Sequence, residues 1–313
     1  MNLRQLQTLI TIADAGGFAS AAGRLHLSQP AATRQIQALE AELGVLLFDR
    51  IGRRLQLTSE GEDIVHRGRR LLQEADSLRD RANALRGGLA GTLRVGGSPQ
   101  HIETVLAPFV TRFRRRHPDI DVHFVEDGGA RIGGRLAQGD VQIVLTSAGN
   151  ELFFSRLLYP GYALAVIAPS HPLARRASVD VSELADEPLL LLHRGFSSRG
   201  WFDAACHNAD VNPRVVLESG APHTLMALAA SGEGLAIVPS NVSIPPKGVK
   251  ALSVTHRDTP IGRWVLAAWD RRRFFPPFAQ HFVDELVAQV RRDYPNRELT
   301  RRMPPLPRPK LSE

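Results

Sequence analysis

The chain has 313 residues, 43% of them hydrophobic and 23% charged, which is the make-up of a globular protein large enough for two or three domains. No apolar run approaches the ~20 residues of a membrane span, and the opening MNLRQLQTL has no apolar signal region, so a cytoplasmic location is expected. A single cysteine, Cys206, excludes an internal disulfide, and the net charge of +7 favours polyanionic partners. Leu3, Leu6, Leu9, Ile10 and Ala13 mark an amphipathic opening helix that stops at Gly16-Gly17. A short helix from about Phe18 to His26 follows, with Ala21, Ala22 and Leu25 turned inward.

Ser28 stands where an N-cap belongs and Pro30 falls in the first turn, where its missing N–H costs little. Ala32, Ile36, Leu39 and Leu43 then recur as one buried stripe, leaving Gln29, Thr33, Arg34 and Gln37 on the opposite face. Arg can chelate guanine O6 and N7, and Gln can pair with adenine N6 and N7. Two short helices joined by a turn, the second polar outside, make a helix-turn-helix. An ordinary solvated helix pair presents the same pattern, so the pattern alone does not decide.

Leu46-Leu47-Phe48 leads into Asp49-Arg50-Ile51-Gly52-Arg53-Arg54 with Gly52 in a turn, and Leu55 and Leu57 alternate with Gln56. This reads as a small hairpin wing whose Arg50, Arg53 and Arg54 reach phosphate or a minor groove. The string LHLSQPAATRQIQALEAELGVLLFDR, within an ungapped match from about Leu3 to Gly61, closely resembles the DNA-binding segment of the LysR-type transcriptional regulators. The resemblance implies double-stranded promoter DNA as partner, with Ser28, Gln29, Pro30, Thr33, Arg34, Gln37 and the wing arginines at the interface. Ala32 and Thr33 replace a larger apolar residue and Ser, which puts the preferred bases in doubt, and Gly17 replaces a capping Ser.

Thr58 or Ser59 caps a long helix over residues 59–86, with Glu60, Glu62 and Asp63 in its first turn and capping-box spacing from Ser59 to Glu62. Ile64, Leu71, Ala75, Leu78, Ala82 and Leu85 trace a coiled-coil seam. The resemblance makes this the dimerisation helix between a DNA-binding domain (1–58) and a glycine-rich hinge (87–91).

From Thr92 strands alternate with helices. Strands are expected at 93–96, 122–125, 141–145, 162–167, 189–192, 214–217, 235–238 and 263–269, and helix faces carry Ile102 to Phe113, Ile132 and Leu136, Phe202 to His207, Thr224 to Ala230, and Phe278 to Leu286. The fold class is therefore multidomain α/β, with a mainly parallel sheet in the second part. The family resemblance implies a two-lobed effector domain at 92–293, similar to periplasmic solute-binding proteins, with lobe I at 92–162 and 267–293 and lobe II at 163–266. The tail, 294–313, is rich in Pro and Arg and is expected to be disordered.

Open α/β sheets bind ligands where strands end and helix N-termini present free amides. Ser98, Gln100 and His101 lie at such a junction, Thr146 and Ser147 at a second, and His193, Phe196, Ser197 and Ser198 at a third. In the family the first segment lines the effector cleft, so these residues are expected to hold a small-molecule effector, with an anion favoured. Gln100 replaces a frequent Thr and Gln142 an acidic residue, so no relative's effector transfers. Peroxide sensors of the family use two cysteines, and the position of the first is Ser197 here, so Cys206 is expected to be a packing residue. No metal-ligand spacing, GxSxG, P-loop or GxGxxG occurs, so neither cofactor nor enzymatic activity is expected. The resemblance further implies a homodimer, a homotetramer that bends promoter DNA, and RNA polymerase as a partner.

Overall fold

A computed structural model describes residues 1–51, 54–87 and 89–309; the side chains of Arg50, Ile51, Arg54 and Ala130 also lie outside that description. Contacts divide the chain into two units, one built on Met1–Gly88 and the other on residues from Leu89 onward.

The first unit opens with α1 (Leu3–Ala15), whose Asn2 cap and Gln5 form a reciprocal capping box, and ends at Gly16 in a left-handed conformation. Next come α2 (Phe18–Arg24), α3 (Gln29–Leu43), and a hairpin of β1 (Phe48–Ile51) and β2 (Arg54–Leu57). Leu9, Ile12, Ala21, Ala32, Ile36, Leu39 and Leu47 form one buried core. The helix α2 is shorter than its pattern suggested, because His26 turns into positive φ. Gly52, expected in the hairpin turn, lies outside the described residues, as does Gly88 of the hinge.

The long helix α4 (Ser59–Leu85) is capped by Thr58, whose hydroxyl accepts from Gly61 N–H at 2.9 Å. The expected Ser59–Glu62 box does not form, because Ser59 lies inside the helix and donates to Glu60. A Cβ at Gly61 would lie 2.1 Å from the Leu47 carbonyl, so only glycine lets the helix start this close to the wing. Gly61, Val65 and Gly68 bury the first half of α4 against the unit. Beyond it Leu71, Leu78 and Leu85 stand 47%, 71% and 77% exposed, one every seven residues.

The second unit begins with β3 (Gly91–Gly97). A helical run then passes from α5 (Pro99–His101) through a π turn (Ile102–Leu106) into α6 (Ala107–Arg116). Next are β4 (Ile120–Glu126), α7 (Gly129–Gln138), β5 (Ile143–Thr146) and the 15-residue β6 (Phe153–Ile167). Lobe II adds β7 (Ser178–Asp180), β8 (Leu189–Leu192), α8 (Ser197–Asn208), β9 (Val215–Ser219), α9 (Pro222–Ala230), β10 (Leu235–Pro239), β11 (Lys250–His256) and β12 (Thr259–Pro260). The chain returns through β13 (Gly262–Asp270) to α10 (Pro277–Arg292) and a final turn, α11 (Arg297–Thr300).

The sheet is mixed rather than mainly parallel. Within lobe I, β3 pairs in parallel with β4 and β5, and within lobe II, β8 pairs in parallel with β9 and β10. The crossing strands run the other way: β13 is antiparallel to β5 and β6, and β6 is antiparallel to β10 and β11. Only the second half of β6 was legible, since Pro160 and Gly161 interrupt it. The β7 and β11 strands went unread.

Phe282 of α10 packs edge-on against Phe109 and Phe113 of α6, with centroids 4.9 and 5.1 Å apart. In lobe II the four leucines of β8 are buried on both faces, as a covered central strand requires.

The tail corrects an expectation. Leu299, Met303 and Leu306 pack into lobe II, Leu306 is 6% exposed, Trp264 Nε1–H donates to the Leu306 carbonyl at 3.3 Å, and Tyr162 O–H donates to that of Pro304 at 3.2 Å. Through residue 309 the segment is a docked strap. Its apolar residues recur every three or four positions, and the Pro and Arg between them masked that spacing.

Candidate functional site

Two surfaces gather the functional candidates. In the first unit, Ser28 Oγ accepts from Ala31 N–H at 3.3 Å and so starts α3, with Pro30 in the first turn. That turn carries no acidic residue, so the helix N-terminus keeps its partial positive charge. Gln29, Arg34 and Gln37 are exposed; Thr33 is half-buried, and its hydroxyl donates to the Gln29 carbonyl at 3.0 Å. Arg34 has no ion-pair partner among the described residues. The other end of α3 is anchored: Glu40 accepts from the Leu47 and Phe48 amides, fixing the helix to β1. In the hairpin Arg50 pairs with Leu55 and Ile51 with Arg54 along the backbone. Arg53, and the side chains of Arg50 and Arg54, lie outside the described residues.

In the second unit eight of the nine cleft candidates meet. Ser98, Gln100, His101, Thr146, Ser147, Phe196, Ser197 and Ser198 line one cavity of about 40 Å³ between the lobes. Three helices start there: α5 after Ser98, α7 at Gly129 and α8 at Ser197. Among the described residues no Asp, Glu, Lys or Arg lines the cavity, so its field comes from backbone amides, an arrangement suited to an anion.

The polar groups divide by occupation. Ser98 Oγ accepts from His101 N–H at 3.3 Å, and Thr146 Oγ1 from Ala148 N–H at 3.1 Å. The Gln100 side chain is different: the residue is 4% exposed, and its carboxamide has no hydrogen-bond partner among the described residues. Burial lowers the His101 imidazole from its ordinary 6.5 to about 4, so it is neutral near pH 7.

His193 does not join the cavity. It sits exposed just past the end of β8, with its ring beside Gly220 and its N–H donating to the Ser219 carbonyl at 3.1 Å. Gly129, Trp201, Gly161 and Asn241 line the cavity and were not read from sequence; they come from the start of α7, from α8, from the β6 stretch paired with β13, and from the turn after β10. A Cβ at Gly129 would meet the Gly195 carbonyl at 2.6 Å and the Ser197 nitrogen at 2.7 Å, so the lobes touch there through glycine. The Arg199 guanidinium, buried below the α8 N-terminus, holds Asp203, Glu218 and the Leu192 carbonyl, and so positions the Phe196–Ser198 turn. Cys206 is buried in the lobe II core, where burial pushes its thiol up to about 11.

Among the described residues no group of His, Cys, Asp and Glu could hold a metal ion, and no helix is long and apolar enough to cross a membrane.

Residues 3–62 match the family model for the bacterial regulatory helix-turn-helix protein, lysR family, and residues 86–291 match the LysR substrate binding domain. The chain is 28% identical over 249 residues to the DNA-binding transcriptional dual regulator OxyR of Escherichia coli K12, covering 79% of this chain and 81% of that protein. A full-length OxyR point variant from Pseudomonas aeruginosa superposes with a TM-score of 0.69 at 25% identity, over 93% of this chain and 95% of the other. Full-length CbnR in complex with its target DNA gives 0.67 at 25% identity, over 93% and 100%.

Proposed function

Because the chain belongs to the LysR family of DNA-binding transcriptional regulators, we propose that the exposed face of α3 reads an operator and that the interlobe cavity binds a small anionic effector. The observation that carries the first half is the exposed Arg34, without an ion-pair partner among the described residues, beside Gln29, Thr33 and Gln37 on a helix with a capped, acid-free N-terminus. Phosphates meet the free amides and fix register, while Arg34 and the glutamines meet base edges.

Two copies join through α4. Leu71, Leu78 and Leu85 form an exposed heptad row, and a second α4 covers it. Paired α3 helices then enter successive major grooves of an interrupted palindrome. Pairs of dimers make a homotetramer, and the effector biases its shape by its difference in affinity between states. RNA polymerase then responds to promoter geometry.

For the second half, three helix N-termini and the open Gln100 carboxamide favour a carboxylate or similar anion. About 40 Å³ holds little more than a water molecule, so the effector enters with the lobes further apart. The chain binds rather than converts that molecule. Ser98 and His101 are 3.3 Å apart, but the Ser98 hydroxyl already caps a helix, no carboxylate among the described residues orients the imidazole, and its low pKa makes it a poor base. The buried, protonated Cys206 thiol is unsuited to peroxide chemistry.

Selection of random duplexes by the full-length protein tests the reading. An interrupted palindrome is expected, and Arg34→Ala should weaken its binding by about 1–3 kcal/mol at fixed salt with unchanged melting. Unchanged affinity would remove Arg34 from the interface.

A further inference from the structure

The strap forms one wall of a second recess, of about 480 Å³, within the ~300–1,000 Å³ range of ligand pockets. Its floor is apolar and aromatic: Leu157 and Pro160 of β6, then Tyr162 and Trp264 where the crossing strands enter lobe II. Met303 and Leu306 close the strap side.

The rim is cationic. Arg291 closes α10, and Arg297, Arg301 and Arg308 lie on the strap. Among the described residues no Asp or Glu lines the recess, and none of the four arginines forms an ion pair. Arg297 donates to the Arg292 carbonyl, and the Arg308 guanidinium sits 5.6 Å from the centre of the Trp264 ring. Four like charges around an apolar floor repel one another, and an anion relieves that repulsion. A guanidinium also takes a carboxylate bidentately.

We propose that this recess is a second ligand site, for an organic anion with a flat apolar body such as an aromatic carboxylate. The body lies on the Trp264 and Tyr162 side, and the carboxylate meets Arg301 and Arg308, Arg308 leaving the indole face to do so. The strap begins beyond residue 291, where the match to the substrate-binding model ends, so the site is separate from the interlobe cavity and does not rest on that cavity's reading. Its position is consequential: the strap is rooted in lobe I, where Tyr294 stacks on Tyr159 at 5.3 Å, and is docked on lobe II through Leu306. A ligand there tightens a tie between the lobes.

The test is calorimetric titration of the full-length protein with 2-naphthoate. Binding is expected in the wild type and in Gln100→Ala, and on the order of tenfold or more weaker in R301A/R308A, the loss of charge-assisted hydrogen bonds. Both substituted side chains are exposed, and equal melting temperatures show that the fold is kept. The neutral 2-naphthamide should bind at least tenfold more weakly than the acid. The proposal is overturned by no wild-type binding at millimolar ligand, by R301A/R308A binding as tightly as wild type, by loss in Gln100→Ala alone, or by equal affinity for the amide.

Discussion

The outer face of α3 and the cavity between the lobes carry similar side chains under opposite conditions. On α3 the Gln29, Arg34 and Gln37 side chains point into solvent, and the fold asks nothing of Arg34. In the cavity Ser98 starts a helix, Thr146 closes a turn and Arg199 pins the loop beneath, so most polar groups serve structure first. A convex reading surface can therefore change its selectivity by substitution without refolding. A concave site built from helix starts is altered only at the cost of stability. Gln100, buried and unengaged, is the exception.

The sharpest way to break that contrast acts at a distance from both sites. Leu78→Glu leaves the first unit's packing alone, because Leu78 is 71% exposed. It should produce monomers in sedimentation and weaken operator binding by on the order of 100-fold, the avidity of two linked half-sites. Tight binding by monomers would mean that the α3 face works singly.

Gly129→Val probes the concave side. Its Cβ reaches the Gly195 carbonyl, so the lobes must shift apart at a cost of about 1–3 kcal/mol. A lower melting temperature with intact operator binding is expected. An unaltered melting curve would show that the lobes already stand apart in solution.

The effect of acid is smaller. The His101 pKa is about 4 in the folded chain and near 6.5 once exposed, so only the unfolded chain takes up this proton as pH falls from 6.5 towards 4. The contribution to stability is fully present above pH 6.5 and is lost through that window. It is worth on the order of 1–2 kcal/mol after allowance for the partly exposed ring. His101→Gln should flatten the melting temperature between pH 7 and 5 relative to wild type; parallel curves would contradict the burial argument.

Smallest of all, Ser28→Ala should cost about 1 kcal/mol of stability in chemical denaturation by removing the α3 cap. It should leave the cavity untouched, which an effector-independent thermal comparison of the second unit checks.

The α3 surface was legible because everything that makes it is local: a cap, a proline and a stripe within sixteen residues. The Ser98, Thr146 and Ser197 junctions were legible for the same reason, since strand ends and helix starts leave marks in neighbouring residues. Gly129, Trp201 and Asn241 were not: Gly129 opens α7, Trp201 sits one turn into α8, and Asn241 follows β10, so separate elements of both lobes converge to bring them together. His193 follows the end of β8 but is exposed and does not line the cavity. The strap was hidden because composition suggested disorder while Leu299, Met303 and Leu306 kept a spacing suited to docking.

The strand β6 belongs to both lobes, pairing with β13 along one part and with β10 and β11 along the other. Neither lobe can melt without exposing backbone that the other depends on. The two should denature as one cooperative block, in a single calorimetric transition, and the slowest amides to exchange should lie on β6 on both sides of Pro160, between Leu157 and Val166.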